Sequence, residues 1–319
     1  MKKLFVFMSV TTLALVSCVK TQVVYTGNPE SREIAFSPLA QNATKAGART
    51  ATSGFPTDSS FYLAAYVAGS PGYDHFNKTE FIYDSGSATW KGNQYWPMDE
   101  VTLNFLAITK QGNAPIVNFG TGETPANFVS QVVAVLSNNK PQNDSQHDLM
   151  FAYNHSSTKN SPVTLEFKHA LAWVYFTARS NVGGVINVTG ITLNGAKYSG
   201  TATIALANYS SPSAELSHTL TWGSLGSAEN VAVPGISSVS VSTSAANCGD
   251  GLMVVPDPTN DSFASFTVNY TMNGHAYSKV VTPDSRTLTA GHKYVYDIEI
   301  ALSEISVTAT VSDWGDPNS

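Results

Sequence analysis

The stretch "VTLEFKHALAWVYFTAR", Val163 to Arg179, shows the pattern that decides the fold of this chain. Apolar and polar residues alternate in it, and successive side chains of a β-strand point to opposite faces of a sheet. The alternation therefore predicts strand structure with an apolar face. His169 falls on that face, in step with Phe167 and Leu171. This position favours a hydrogen-bonded core or interface histidine over a catalytic one.

The same period of two recurs along the chain, and Gly, Pro and Asn bound the runs. "FVSQVVAVL" is open to two interpretations, one helical turn or a strand, and its valines favour the strand. The clearest runs are "FYLAAYV" (Phe61 to Val67), "VTLNFLAI" (Val101 to Ile108), "VINVTGITL" (Val185 to Leu193), "FTVNYTM" (Phe266 to Met272) and "HKYVYDIEIAL" (His292 to Leu302).

One turn can be predicted from its residues alone. Asn273-Gly274 separates two alternating runs in "FTVNYTMNGHAYSKVV". Both central residues of a type I′ turn need positive φ, which Asn and Gly tolerate best, so the stretch predicts a hairpin.

Strands at short intervals without helices between them favour an all-β fold of tandem β-sandwiches. The polar stretch "NHSSTKNSP", Asn154 to Pro162, is the best interior boundary. It predicts an N-terminal domain over 56–158 and a C-terminal domain over 159–319. Residues 18–55 precede them, and "ATKAGARTATSGFP" (43–56) has the small, polar composition of a tether.

Residues 1–17 have the organisation of a secretory signal peptide, with Lys2 and Lys3 before an apolar run that ends at Val16. That run is shorter than the roughly 20 residues a membrane-spanning helix needs. "LVSC" ends at Cys18, and this pattern predicts a bacterial lipoprotein whose Cys18 thiol carries a diacylglyceryl group with palmitate-type chains. An ordinary signal with an incidental cysteine is the alternative.

The charge of the chain argues against nucleic acid as a partner. Loss of Lys2 and Lys3 with the leader leaves 15 basic residues against 23 acidic ones, a net charge near −8. After Cys18, Cys248 is the only remaining cysteine, and one thiol cannot close an intrachain disulfide.

The sequence has no recognisable catalytic, cofactor or metal motif, which predicts a non-enzymatic protein. It lacks HExxH, GxSxG and a glycine-rich phosphate loop. His147 and Asp148 are adjacent, so on a strand they would face apart. "DPTND", from Asp257, begins like a calcium loop but lacks the glycine and glutamate of an EF-hand. Trp90 and Trp96, with their neighbour Tyr95, are either a sugar-stacking platform or, more in keeping with a β-rich chain, caps of a core.

Six phrases in order resemble the Bacteroidetes fimbrillin family, also called Mfa-like or FimA-like proteins, from about Thr50 to Trp314. The phrases are "YWPMDEVTLNFLAI" (Tyr95 to Ile108), "HDLMFAY" (His147 to Tyr153), "VTLEFKHALAWVYF" (Val163 to Phe176), "GLMVVP" (Gly251 to Pro256), "GHKYVYDIEI" (Gly291 to Ile300) and "VTATVSDW" (Val307 to Trp314).

The resemblance implies two transthyretin-like β-sandwich domains in a tip or shaft subunit of an adhesive cell-surface fimbria. Such proteins are exported as outer-membrane lipoproteins. An arginine-specific protease then removes the first strand, and a strand from the next subunit replaces it. The implied partners are other fimbrial subunits, the outer membrane through a lipid that is at least transient, and a ligand on a host or bacterial surface.

Carried onto this chain, the resemblance places lipidation at Cys18 and cleavage at Arg49 in "AGARTA". The strand to be removed is "REIAFSPLA", 32–40, in which apolar residues alternate until Pro38 breaks the pattern. Cleavage at Arg32 would leave that strand attached. The alternative for Arg49 is an ordinary loop arginine.

The chain departs from the family pattern after Trp314, where "GDPNS" is too short for a donor strand. We expect either that "EISVTATVSDW" is itself the donor, or that the protein only accepts a strand, as a tip, accessory or anchor subunit would. The competing hypothesis is a lipid-anchored outer-membrane glycan-binding lipoprotein that uses Trp90 and Trp96.

Overall fold

The computed structural model describes residues 33–40, 55–68, 74–110, 116–119, 131–141, 146–208, 215–302 and 304–314. These residues form strands, turns and loops without a helix, so the all-β prediction is confirmed. The strands are β1 (Glu33–Ala40), β2 (Ser60–Val67), β3 (Asp74–Asp84), β4 (Thr89–Tyr95), β5 (Leu103–Lys110), β6 (Ile116–Phe119), β7 (Gln131–Leu136), β8 (Met150–Ser156), β9 (Val163–His169), β10 (Ala172–Arg179), β11 (Ile186–Ala196), β12 (Gly200–Ala207), β13 (Ser217–Gly223), β14 (Glu229–Ala232), β15 (Val239–Val241), β16 (Ala246–Asn247), β17 (Leu252–Val254), β18 (Ser265–Met272), β19 (His275–Val281), β20 (His292–Ile300) and β21 (Ile305–Asp313).

The N-terminal strands close into a barrel in the order β1-β4-β3-β2-β5-β8-β9. Its interior is rich in aromatic rings, and Phe61, Phe81 and Phe105 are fully buried there. The alternating runs predicted β2 and β5 but missed β3. The backbone of Lys78 has a positive φ of 48°, and the register between β2 and β3 shifts twice, which interrupts the strict period of two.

The C-terminal strands form two sheets that pack over one apolar core. One sheet has the order β16-β10-β20-β21, with β17 also on β10, and the other has the order β14-β11-β18-β19, with β15 also on β11. The predicted hairpin is confirmed, because β18 and β19 pair from Met272 opposite His275. Asn273 and Gly274 have φ of 50° and 83°, as the turn requires.

The stretch Val163–Arg179 is divided between two sheets. Its first part, β9, pairs with β1 and β8 in the barrel, whereas β10 pairs in parallel with β20. Fully buried Ala170 and Leu171 make the crossing. Strand β10 alternates between two cores, with Trp173 facing one and Phe176 the other. Both of its faces are therefore buried.

A fourth sheet, in the order β13-β12-β7-β6, joins the two halves of the chain. Strand β7 confirms the interpretation of "FVSQVVAVL" as strand for residues 131–136. It pairs with β12, which follows it by more than 60 residues. The sheet covers barrel residues including Tyr66 and Phe151. The division at 158 and 159 stays a prediction, and β9 and β12 after that point pair with strands before it.

Candidate functional site

Strand β1 closes the barrel and defines the candidate functional site. It pairs with β4 in the antiparallel direction and with β9 in the parallel direction. Ile34, Phe36 and Pro38 are buried, and Leu39 is exposed. The site is thus a groove between β4 and β9 that β1 fills with alternate apolar side chains.

Phe36 is the central contact of this groove. Its ring meets those of Phe81, Phe105 and Phe61 edge to face, with centroids 5.0, 5.2 and 6.0 Å away. Such pairs are favoured by the aromatic quadrupole beyond the area they bury. The sequence predicted the alternation of Ile34 and Phe36, but it gave no sign that Phe81 lies opposite, because β3 was missed.

The strand expected at 32–40 is present as β1, and Pro38 lies within it, buried in step with Ile34 and Phe36. Proline is tolerated where its missing N–H faces away from a ladder. The carbonyl of Pro38 accepts a hydrogen bond from Phe55 N–H at 3.3 Å. Because the N and O of one strand residue point to the same side, the ring nitrogen also faces Phe55 and leaves the pairing with β9 intact.

Phe55 anchors the chain again on the far side of residues 41–54. It is buried in the barrel, and its ring lies 4.7 Å from Phe167 and 5.7 Å from Trp90 between centroids. The N-terminal end of β1 carries an ion pair between Glu33 and Lys91 at 3.6 Å. The strand is therefore held by packing along its length and by one charge contact at its start.

The two predicted modification sites, Cys18 and Arg49, lie outside the described residues. Arg49 belongs to the segment between β1 and Phe55. Both remain predictions.

The hypothesis that Trp90 and Trp96 form a sugar-stacking platform is wrong, because both side chains belong to the barrel core. They are 5% and 4% exposed, and the indole N–H of Trp90 donates to the carbonyl of Ser59 at 3.0 Å. Their neighbour Tyr95 is 41% exposed at the end of β4, so it does not share a surface with the two buried indoles. The alternative interpretation, that the tryptophans cap a core, is correct.

The remaining candidate catalytic residues are used for structure. His147 and Asp148 precede β8 and are not in a strand, so the expectation that they face opposite sides of a strand does not apply. Asp148 lies 2.9 Å from the ring nitrogen Nδ1 of His169. That ring is buried and stacks on Trp314 with centroids 3.9 Å apart, so the interpretation of His169 as a bonded core residue is confirmed.

The carboxylate of Asp257 in "DPTND" is occupied by protein donors. Its Oδ1 accepts hydrogen bonds from the backbone N–H groups of Thr259 and Asn260, at 2.9 and 3.1 Å, and Oδ2 pairs with Lys197. Burial alone would raise the pKa of Asp257, but these hydrogen bonds hold it well below its usual range. The loop is a turn stabilised by a buried carboxylate.

Cys248 is a buried free thiol, and burial raises its pKa to about 12. In the described part of the chain, His, Cys, Asp and Glu side chains form no group of three that could hold a metal ion. The same residues include no helix long and apolar enough to cross a membrane.

Solved structures described as bacterial fimbrial and cell adhesion proteins share this fold. A fimbrial protein from Bacteroides vulgatus is 15% identical with a TM-score of 0.57, and the match covers 88% of this chain and 99% of that one. Candidate cell adhesion proteins from Bacteroides ovatus and Bacteroides uniformis are 13% and 17% identical, with TM-scores of 0.53 and 0.51. Those matches cover 89% and 90% of this chain, and 98% and 100% of the others. No curated protein matches the chain by sequence.

The sequence itself gives the more specific result. The profile of the fimbrillin-like family matches residues 43–314, and the protein belongs to that family. The resemblance carried by the six phrases is thereby confirmed. The match begins after β1, so the strand that closes the barrel lies outside it.

Proposed function

We propose that the protein is a non-enzymatic subunit of an adhesive cell-surface fimbria and that it assembles by exchange of β1. The observation that carries the proposal is the position of β1, which closes the barrel with Ile34, Phe36 and Pro38 buried. Membership of the fimbrillin-like family supports it. The proposal includes two transthyretin-like domains, one built around the barrel and one around the two facing C-terminal sheets.

Cleavage at Arg49 would separate β1 from the body of the barrel, which resumes at Phe55. Loss of β1 would leave the facing edges of β4 and β9 unpaired and expose the rings around Phe36. Each buried apolar side chain contributes about 1.5–3 kcal/mol. A strand from another subunit would regain this burial and the backbone hydrogen bonds.

Lipidation at Cys18 would place the assembly step at the outer membrane. The lipid would hold the subunit on the outer membrane, exposed at the cell surface, and cleavage at Arg49 would release the body of the protein from both lipid and β1. If Arg49 is not cut, Cys18 remains a permanent anchor.

The pairing of β21 favours a role as strand acceptor. All nine residues of β21 pair with β20, from Ile305 opposite Ile300 to Asp313 opposite His292. Donation of this strand would require the protein to give up an edge of its own sheet. We therefore favour a tip, accessory or anchor subunit over a shaft subunit.

The experiment is digestion of the purified protein with an arginine-specific protease, followed by N-terminal sequencing and electron microscopy. The proposal expects a new N-terminus at Thr50 and loss of the peptide that contains β1. Arg49→Ala should block both, whereas the matched control Arg32→Ala should block neither. Mixing the cleaved protein with a synthetic peptide of residues 33–40 should restore its thermal stability. Intact β1 after digestion of the wild-type protein would contradict the proposal.

A further inference from the structure

A cleft of about 940 Å³ opens where the barrel, the fourth sheet and the C-terminal sheets meet. Residues of β8, β9 and β13 form one side of it, including Phe151, Lys168 and His218. Strand β1 contributes no residue to its lining. The cleft is therefore a site separate from the strand groove, and its volume is in the range of small-ligand sites.

Lys168 and His218 line the cleft, and Tyr153, which lines a neighbouring cavity, joins them by hydrogen bonds. Lys168 Nζ donates to the Tyr153 hydroxyl at 3.2 Å, and that hydroxyl lies 2.9 Å from His218 Nδ1. The ring of His218 also packs against Phe151 and Tyr153, with centroids 5.0 and 5.2 Å away. A second cavity of about 310 Å³ is lined by Tyr153 and Lys168, so these three side chains mark the junction of two cavities.

The direction of these hydrogen bonds follows from the chemistry of the groups. An ammonium only donates, so the Tyr153 hydroxyl accepts from Lys168 and gives its own proton to His218 Nδ1. A neutral imidazole that accepts at Nδ1 carries its proton on Nε2. Lys168 keeps two further protons. The junction thus offers N–H donors from Lys168 and His218, which suit an acceptor with negative charge.

The charge of Lys168 is not neutralised locally. Among the described residues Lys168 takes part in no ion pair; its Nζ donates to the Tyr153 hydroxyl and lies 5.0 Å from the centre of the Tyr153 ring. Glu166 and Glu215 line the smaller cavity but are exposed. Burial and the charge of Lys168 lower the pKa of His218, which keeps its ring neutral at pH 7.

The rest of the lining combines apolar rings with hydroxyl groups. Leu220 is half-buried on the β13 side, the rings of Trp222 and Phe151 behind it are buried, and Thr287 and Thr289 are exposed. His292 and Asp313 also line the cleft, with His292 Nε2 3.4 Å from Asp313 Oδ1. The half-buried Leu220 side chain and His218 ring suit the C–H face of a sugar ring, while the threonine hydroxyl groups suit its O–H groups.

From this arrangement we propose that the cleft binds an acidic saccharide, such as a hexuronate or a sialic acid, with its carboxylate on Lys168 and His218. Tyr153 is the positioning residue that holds these two donors side by side. The inference deepens the adhesive part of the proposed function, on which it rests, by naming a ligand class. It can be tested on the uncleaved monomer, so its outcome does not depend on strand exchange.

Binding of trigalacturonate and of sialyllactose to the purified full-length protein can be measured by calorimetry at pH 7.5. The wild-type protein is expected to bind at least one of them. Lys168→Met should weaken that binding about tenfold to hundredfold, the usual effect of removing a hydrogen bond to a charged group. The matched control Lys279→Met, on exposed β19, should leave it unchanged. Tyr153→Phe should weaken binding without changing the melting temperature by more than a few degrees. This variant therefore still tests the proposal if Lys168→Met fails to fold.

Two comparisons decide the ligand class. Methyl-esterified trigalacturonate keeps the shape of the sugar but loses its charge, and it should bind much more weakly than the acid. A glutamate-rich hexapeptide should not compete. The proposal is overturned if neither acidic sugar binds at 10 mM, if the ester binds as well as the acid, or if the peptide binds in place of the sugar.

Discussion

Replacing Phe36 by alanine tests whether β1 holds the barrel closed. The Phe36 side chain is 0% exposed and makes edge-to-face contacts with three other rings. Truncation of a buried phenylalanine costs about 3–5 kcal/mol, because transfer free energy is lost and a cavity remains. Leu39→Ala on the same strand is the matched control, since Leu39 is 41% exposed and its truncation should cost less than about 1 kcal/mol.

Hydrogen exchange followed by mass spectrometry localises the effect. If the amides of β4 and β9 exchange through release of β1, a cost of 3–5 kcal/mol should speed their exchange by about a hundredfold or more. Strand β20, in a different core, serves as an internal reference and should change little. The reasoning is refuted if β4 and β9 are equally protected in Phe36→Ala and Leu39→Ala, because the apolar side chains of β1 would then not keep the groove closed.

Three further outcomes are expected elsewhere in the fold. Because the folded-state pKa of Asp257 lies below its unfolded value, the stability it contributes is present above pH 4 and lost as the pH falls below about 4. Asp257→Asn should flatten this part of a plot of unfolding free energy against pH. An unchanged plot would show that the Asp257 carboxylate, and its ion pair with Lys197, do not stabilise the fold. In a Cys18→Ser variant, Cys248 should resist a thiol reagent at pH 8 until the protein is unfolded, and fast labelling of the native state would contradict its burial. Gly274→Ala should lower the unfolding free energy by about 1–2 kcal/mol, since φ is 83° although no atom crowds the site. Gly223→Ala, equally uncrowded but without positive φ, should cost less, and equal losses in chemical denaturation would show that φ is not the cause.

The sequence by itself determined the features that depend on neighbouring residues. Alternation predicted β2, β5, β18 and β20 because the period of two is a property of each strand alone. Asn273-Gly274 predicted the hairpin because the turn needs only those two backbone conformations. The strand character of β1 followed from Ile34 and Phe36 in the same way. The phrases that resemble the fimbrillin family predicted the family correctly, because membership is carried by the order of residues along the chain.

The tertiary structure decided which strands meet. Alternation in "VTLEFKHALAWVYFTAR" ends at His169, and the continuous apolar run from Ala170 to Phe176 fits a strand buried on both faces. That pattern does not tell which sheets β9 and β10 join. Trp90 is a residue type that could serve in a sugar-binding platform, but it lies in the barrel core. The sequence did not show this, because burial depends on residues distant in the chain.

The junction of Lys168, Tyr153 and His218 was not predictable for the same reason. It draws its three members from three strands, β9, β8 and β13, whose residues are up to 65 positions apart in the chain. Strand pairing is set by long-range packing, and a local pattern does not encode its partners. The sequence thus determined the strands and the family, and the packing of the strands decided the groove of β1 and the cleft.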